Sequence, residues 1–136
     1  MFINIGKPNQ LGFKLLFGST AEASLQGRFK IVKAVGSTIT DNEIKARTIT
    51  AIDTFFSISN WNYGESFYYT ELCAYIHSQL STQISSVVIV GSDAESKFGD
   101  LFEIVSAPNE LFYSTATVDD IEIVNAFTDQ NLKKGT

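Results

Sequence analysis

The chain has 136 residues, 44% of them hydrophobic and 18% charged, and a formal charge of −5. That length suits one domain with its own core, that composition excludes general disorder, and no apolar run reaches the ~20 residues of a membrane helix. The acid surplus argues against a phosphate-tracking nucleic-acid surface, and the single Cys73 excludes an intrachain disulfide and a cysteine-based zinc cage.

In chain order, residues 1–8 lack the basic-then-apolar order of a signal peptide. Residues 13–17 read as a short strand bounded by Gly12 and Gly18, and residues 19–24, small and polar, as a loop. Residues 28–33 alternate and place Phe29 and Ile31 on one face of a strand, which Gly36 and Ser37 end. A helix is predicted over 43–56. Thr40, Asp41, Asn42 and Glu43 have the form of a capping box, and the two acids suit the positive end of the helix dipole. Ile44, Thr48, Ile52, Phe55 and Phe56 recur at helical spacing and define its buried stripe, with Lys45 and Arg47 off it.

A second helix is predicted over 68–80, with Tyr69, Leu72, Ile76 and Leu80 on one face. Residues 87–90, three valines and an isoleucine, read as a central strand covered on both faces. Residues 101–105 and 111–114 read as strands, and the turn chemistry of residues 107–110 between them suggests a hairpin. Residues 121–124 read as a last strand or a short helical start. The expected fold is α+β, a mostly antiparallel sheet with two helices packed on one face, in the order strand, helix, helix, strand, further strands. Residues 28–128 are expected as the domain, 1–27 as an N-terminal arm or the end of a preceding region, and 129–136 as a flexible tail.

Chemistry-bearing patterns are sparse. His77 follows Cys73 by four residues, so the two can share a helix face, but two ligands do not close a tetrahedral shell. Cys73 is expected in the core and His77 on the surface. Asp119, Asp120 and Glu122 read as a solvated turn, since calcium needs more oxygens at ordered spacing. Asp93 with Glu95, or Glu65 with Glu71, can be offered as acid–base pairs, and nothing in the sequence marks either as buried. The chain is therefore expected to be no enzyme, to hold no cofactor or metal, and to engage neither nucleic acid nor membrane.

The aromatics are the unusual feature. Phe55, Phe56, Trp61, Tyr63, Phe67, Tyr68, Tyr69 and Tyr75 crowd into residues 55–75. The segment between the two helices ought to lie at the surface, where Trp61 and Tyr63 would anchor a partner. The other reading is that both rings fold back over the helices.

The run from Ala51 to Phe56, followed by Asn60-Trp61-Asn62-Tyr63-Gly64-Glu65 and the stretch to His77, resembles the C-terminal part of the baseplate wedge proteins of T4-like contractile-tailed phages. More loosely it is similar to the baseplate J-like family. The resembling pieces are a strand at 28–33, a helix at 43–56, an aromatic-Gly-acid segment at 61–65, a helix at 68–80 and an apolar strand at 87–90. Residues 98–104, 108–112 and 119–123 resemble the end of the same proteins. The match spans residues 28–127, and the family proteins are longer, which is why residues 1–27 are expected to end a preceding region. The resemblance implies a virion structural role in the tail baseplate, assembled in the host cytoplasm. The implied partners are other wedge proteins and a second copy of the chain in a homodimer, with Trp61, Tyr63, Phe102 and Phe112 as candidate interface residues. The competing expectations are a small non-catalytic binding module that uses Trp61 and Tyr63, and a hydrolase built from scattered carboxylates.

Overall fold

The computed structural model describes residues 12–92, 103–128 and 132–133. The central strand is β2 (Gly27–Lys33), flanked by β4 (Ile84–Gly91) in antiparallel pairing and by β7 (Ile121–Val124) in parallel pairing. Its alternation sets two faces. Phe29 and Ile31 point to one side, opposite Ile89 and Val87 on β4 and Ile121 and Ile123 on β7. This face joins the main core. Lys30 points to the other side and is only 1% exposed, with its ammonium 2.6 Å from Glu122 Oε1 on β7. Burying a lysine stem is tolerable where the charged head keeps a partner.

Two helices cover the Phe29 face: α1 (Asp41–Phe55) and α2 (Tyr69–Gln79) pack on each other, and α2 also packs on β4. The α1 start follows the predicted cap, since the Glu43 amide donates to Thr40 Oγ1 at 3.1 Å. The Glu43 carboxylate pairs with Arg47 one turn on, at 2.5 Å. Ile44, Thr48, Ala51 and Ile52 are the buried residues of α1, and the Thr48 hydroxyl is satisfied by the Ile44 carbonyl at 2.7 Å. Of the two residues predicted at the end of the stripe, Phe55 and Phe56, only the second is fully buried. Phe56 is buried, whereas Phe55 is half-buried, because the helix stops there and turns Phe56 inward.

Two further ribbons complete the described structure. Strand β1 (Gly12–Leu16) pairs in parallel with β6 (Glu110–Ser114), and β3 (Ser66–Tyr68) pairs in antiparallel with β5 (Glu103–Val105). The α+β class and the element order match the expectation, with four differences. The pairings divide between parallel and antiparallel ladders rather than being mostly antiparallel. The expected hairpin is not formed: β5 and β6 each pair with an earlier strand, since the two segments contribute Ile104 and Phe112 to the core from separate ribbons. Strand β4 lies at the edge of its sheet, and the central place goes to β2. Finally, residues 12–27, expected in an arm, are integral. Leu16, Phe17, Ala21 and Leu25 are buried in the main core.

Phe17 makes that integration possible. After β1 leaves β6, the Phe17 amide donates to the Leu25 carbonyl at 2.8 Å and its own carbonyl accepts from Gly27 at 3.1 Å, so the chain passes from one ribbon to the next sheet. The residue has φ +77°, a strained value for a bulky side chain. The strain is held by packing: the ring meets Phe29 at 4.9 Å and Phe56 and Phe67 at 6.0 Å each. Gly18 follows because nothing larger fits; a Cβ there would lie 2.2 Å from the Thr115 carbonyl oxygen. The expected tail at 129–136 lies largely outside the described residues.

Candidate functional site

The crowded aromatics resolve into an interior cluster and a small exposed remainder. Trp61 belongs to the interior. Its indole N–H donates to the Phe55 carbonyl at 2.6 Å, its ring stacks on Phe56 at 5.6 Å, and it meets Phe112 edge-on at 5.4 Å. With its only donor used and its face covered, Trp61 stays half-buried and closes the end of α1. Phe112 is 2% exposed and contacts Phe56, Phe67 and Trp61, so it is a core residue and no surface anchor. Phe112 points inward on β6, and the parallel register sets Leu16 of β1 on the same, core-facing side. Phe102, the third candidate, lies outside the described residues.

Tyr63 alone of the four is described as exposed, at 43%. It stands on a turn that needs Gly64, whose φ is +77° and whose missing Cβ would sit 3.3 Å from Pro108 Cα. The turn is tied down by the Asn62 amide donating to Glu65 Oε1 at 2.6 Å and by the Gly64 amide donating to the Glu110 carbonyl at 3.2 Å. On the nearby β3–β5 ribbon, Tyr68 and Val105 are exposed. The Tyr68 hydroxyl donates to the Glu103 carboxylate across the strands, and that bond with the negative charge raises its pKa above 10.0.

Among the described residues the largest aromatic exposure lies elsewhere, on the outer face of β1–β6. Phe13 is 52% exposed and Tyr113 is 51% exposed, with ring centroids 5.6 Å apart. Leu15 and Leu111 share that face by register, but Leu111 is buried and Leu15 packs against the core, so the exposed part is the Phe13–Tyr113 pair. Sequence reasoning overlooked this pair, although alternation carries the signal: once Phe112 points inward, Tyr113 must point outward. Which of the two is buried is not written in the alternation itself.

A groove of about 460 Å³ adjoins Tyr113. Asp53, Phe56 and Ser57 line one side, and Ser114, Thr115 and Ala116 continue from Tyr113 on the other. Asp53 occupies the last turn of α1, where the dipole is negative and no basic residue is present. Partial burial raises its carboxyl pKa above 3.8. A carboxyl that holds its proton more tightly folded than unfolded lowers stability once ionised, so the cost is full at neutral pH and fades as pH falls through the raised pKa. Asp53→Asn is therefore expected to stabilise the protein by about 0.5 kcal/mol at pH 7. The gain should shrink toward pH 4 in urea unfolding. A gain that grows on acidification would contradict this electrostatic account.

The sequence-flagged chemistry is placed in structural roles. His77 is exposed and Cys73 is half-buried on α2. Asp120 closes a capping box with Thr117, whose amide donates to Asp120 Oδ2 at 2.8 Å. Glu122 pairs with Lys30, and Glu65 holds the Tyr63 turn. Glu71 lies exposed in the first turn of α2, while Asp93 and Glu95 fall outside the described residues. Among the described residues, no group of three His, Cys, Asp or Glu side chains is placed to hold a metal ion. Nor is any helix long and apolar enough to cross a membrane. No family model matches the sequence, and no curated protein is significantly similar to it.

Proposed function

We propose that this chain is a non-catalytic structural component of a phage tail baseplate, a wedge-type protein that acts through contacts with other wedge proteins and with a second copy of itself. The observation that carries the protein-contact reading is the exposed Phe13–Tyr113 pair on a ribbon of two strands. Exposed rings side by side on a short ribbon are a surface that a protein partner covers at low entropic cost. The virion assignment is supported by the resemblance of residues 28–127 to T4-like wedge proteins. The alternative that uses Trp61 and Tyr63 as a ligand grip is weakened by the docking of Trp61 against Phe56 and Phe112.

Light scattering coupled to size-exclusion chromatography tests the self-association. The native chain is expected to run as a dimer at roughly 10–100 μM, with an isologous interface of at least ~1,000 Å². Phe13→Asp combined with Tyr113→Asp is expected to give a folded monomer. Phe112→Asp is unsuitable for that purpose, because it would place an unpaired carboxylate in the core. A native chain that stays monomeric up to about 100 times a micromolar Kd would overturn the self-association.

A further inference from the structure

The Asp53 groove has a chemistry that the aromatic pair alone does not explain. Its hydroxyls are already engaged. Thr115 Oγ1 donates to the Leu16 carbonyl at 2.9 Å and accepts from the Gly18 amide at 3.0 Å. Ser114 Oγ accepts from the Ala116 amide at 3.2 Å, and Ser57 Oγ accepts from Asn60 at 3.0 Å. The Asp53 carboxylate differs from these: it has no ion pair or hydrogen bond among the described residues. The four salt bridges there use Lys14, Lys30, Lys33 and Arg47, none of which lines the groove. Asp53 also sits in the last turn of α1, which supplies no cation. The last α1 carbonyls already accept hydrogen bonds, Thr54 from Ser57 and Asn60 and Phe55 from Trp61, so a cation arriving in the groove would meet the unpaired Asp53 carboxylate beside the ring of Tyr113.

We propose that this groove receives an arginine side chain of a partner protein, its guanidinium paired with Asp53 and lying against Tyr113, while apolar neighbours of that arginine cover Phe13. The fit is one of charge and shape. A guanidinium is planar, offers several N–H donors and stacks on an aromatic face, and it loses less hydration than an ammonium on entering a half-enclosed site. The groove volume of about 460 Å³ is ample for one long side chain. The chain's own charge of −5 favours approach by a basic surface. The inference rests on the protein-contact reading and adds to it the chemistry of the partner.

The test is a titration of the full isotope-labelled chain with acetyl-Gly-Arg-Gly-amide, followed by amide NMR, with acetyl-Gly-citrulline-Gly-amide as the uncharged isostere. It is run on the native chain and on Phe13→Asp, which removes the pairing surface and keeps the groove. Saturable shifts are expected at Asp53, Ser57, Thr115 and Ala116, with a Kd of about 1–10 mM. The citrulline peptide, Asp53→Asn and Tyr113→Ala should each weaken binding at least roughly fivefold, and added salt should weaken it further. Shifts in Phe13→Asp but not in the native chain would also support the groove, with a second copy then covering it. Citrulline binding equal to arginine, or no saturation in either chain up to about ten times the expected Kd, would overturn the inference. The self-association reading is judged apart from this, by light scattering, so each can fail while the other stands.

Discussion

Replacing Phe56 with alanine is expected to cost about 3–5 kcal/mol, a large part of the roughly 5–15 kcal/mol that holds a domain of this size together. Phe56 is 4% exposed and is the common neighbour of the aromatic cluster. Its ring meets Phe55 and Phe67 at 5.0 Å each, Trp61 at 5.6 Å, Phe17 at 6.0 Å and Phe112 at 6.3 Å. These rings come from the residue after β1, from α1, β3 and β6, and from the segment after α1. A cavity at their centre cannot be refilled by moving one side chain, and several faces lose contact together. Phe55→Ala should cost less, about 1.5–2.5 kcal/mol, because one side of that ring already meets water. Urea unfolding of the two variants gives the comparison. A larger loss at Phe55 than at Phe56 would show that the cluster is centred elsewhere.

The second expected result concerns Cys73. Burial pushes its thiol up to about 12 from 9.0, with a hydrogen bond from the Ile89 backbone opposing the shift only in part. The reacting species is the thiolate, so at pH 8 the folded protein should alkylate about 10³-fold more slowly than the unfolded chain. Iodoacetamide labelling followed by mass spectrometry, in buffer and in urea, reads the ratio directly. A ratio near one would place the thiol in water and remove it from the α2–β4 contact. A slow ratio that Phe56→Ala raises would instead report on local opening of the core.

Several features were legible before any coordinates. The α1 cap was written in Thr40 and Glu43, because a capping interaction is local and depends on residues three apart. The α2 stripe of Leu72, Ile76 and Leu80 was legible for the same reason, since helical spacing is a local property. The opposite faces of β2 could also be read from alternation alone, with Phe29 and Ile31 in the core. The candidate interface was less legible. Trp61 read equally as a surface anchor or as a ring folded back over the helices, and Phe112 read as a candidate interface residue. The contact between the two joins distant parts of the chain, which no local pattern encodes.

By itself, then, the amino-acid order determined the α+β class, the existence of both helices, the cap of α1 and most of the strands around them, because each depends on a pattern over a few residues, whereas the short β3 was not foreseen. Strand partners were decided only by tertiary structure. β5 joins β3, β6 joins β1 in parallel, and β2 takes the central place between β4 and β7. Pairing is a competition among all strands for backbone partners, and its outcome depends on which arrangement buries the most rings together. The exposed pair of Phe13 and Tyr113 and the groove at Asp53 are consequences of that competition. Phe13 lies on β1, Asp53 on α1 and Tyr113 on β6, three segments far apart in the chain. Only the parallel β1–β6 register and the packing of the α1 terminus beside it bring their side chains to one surface.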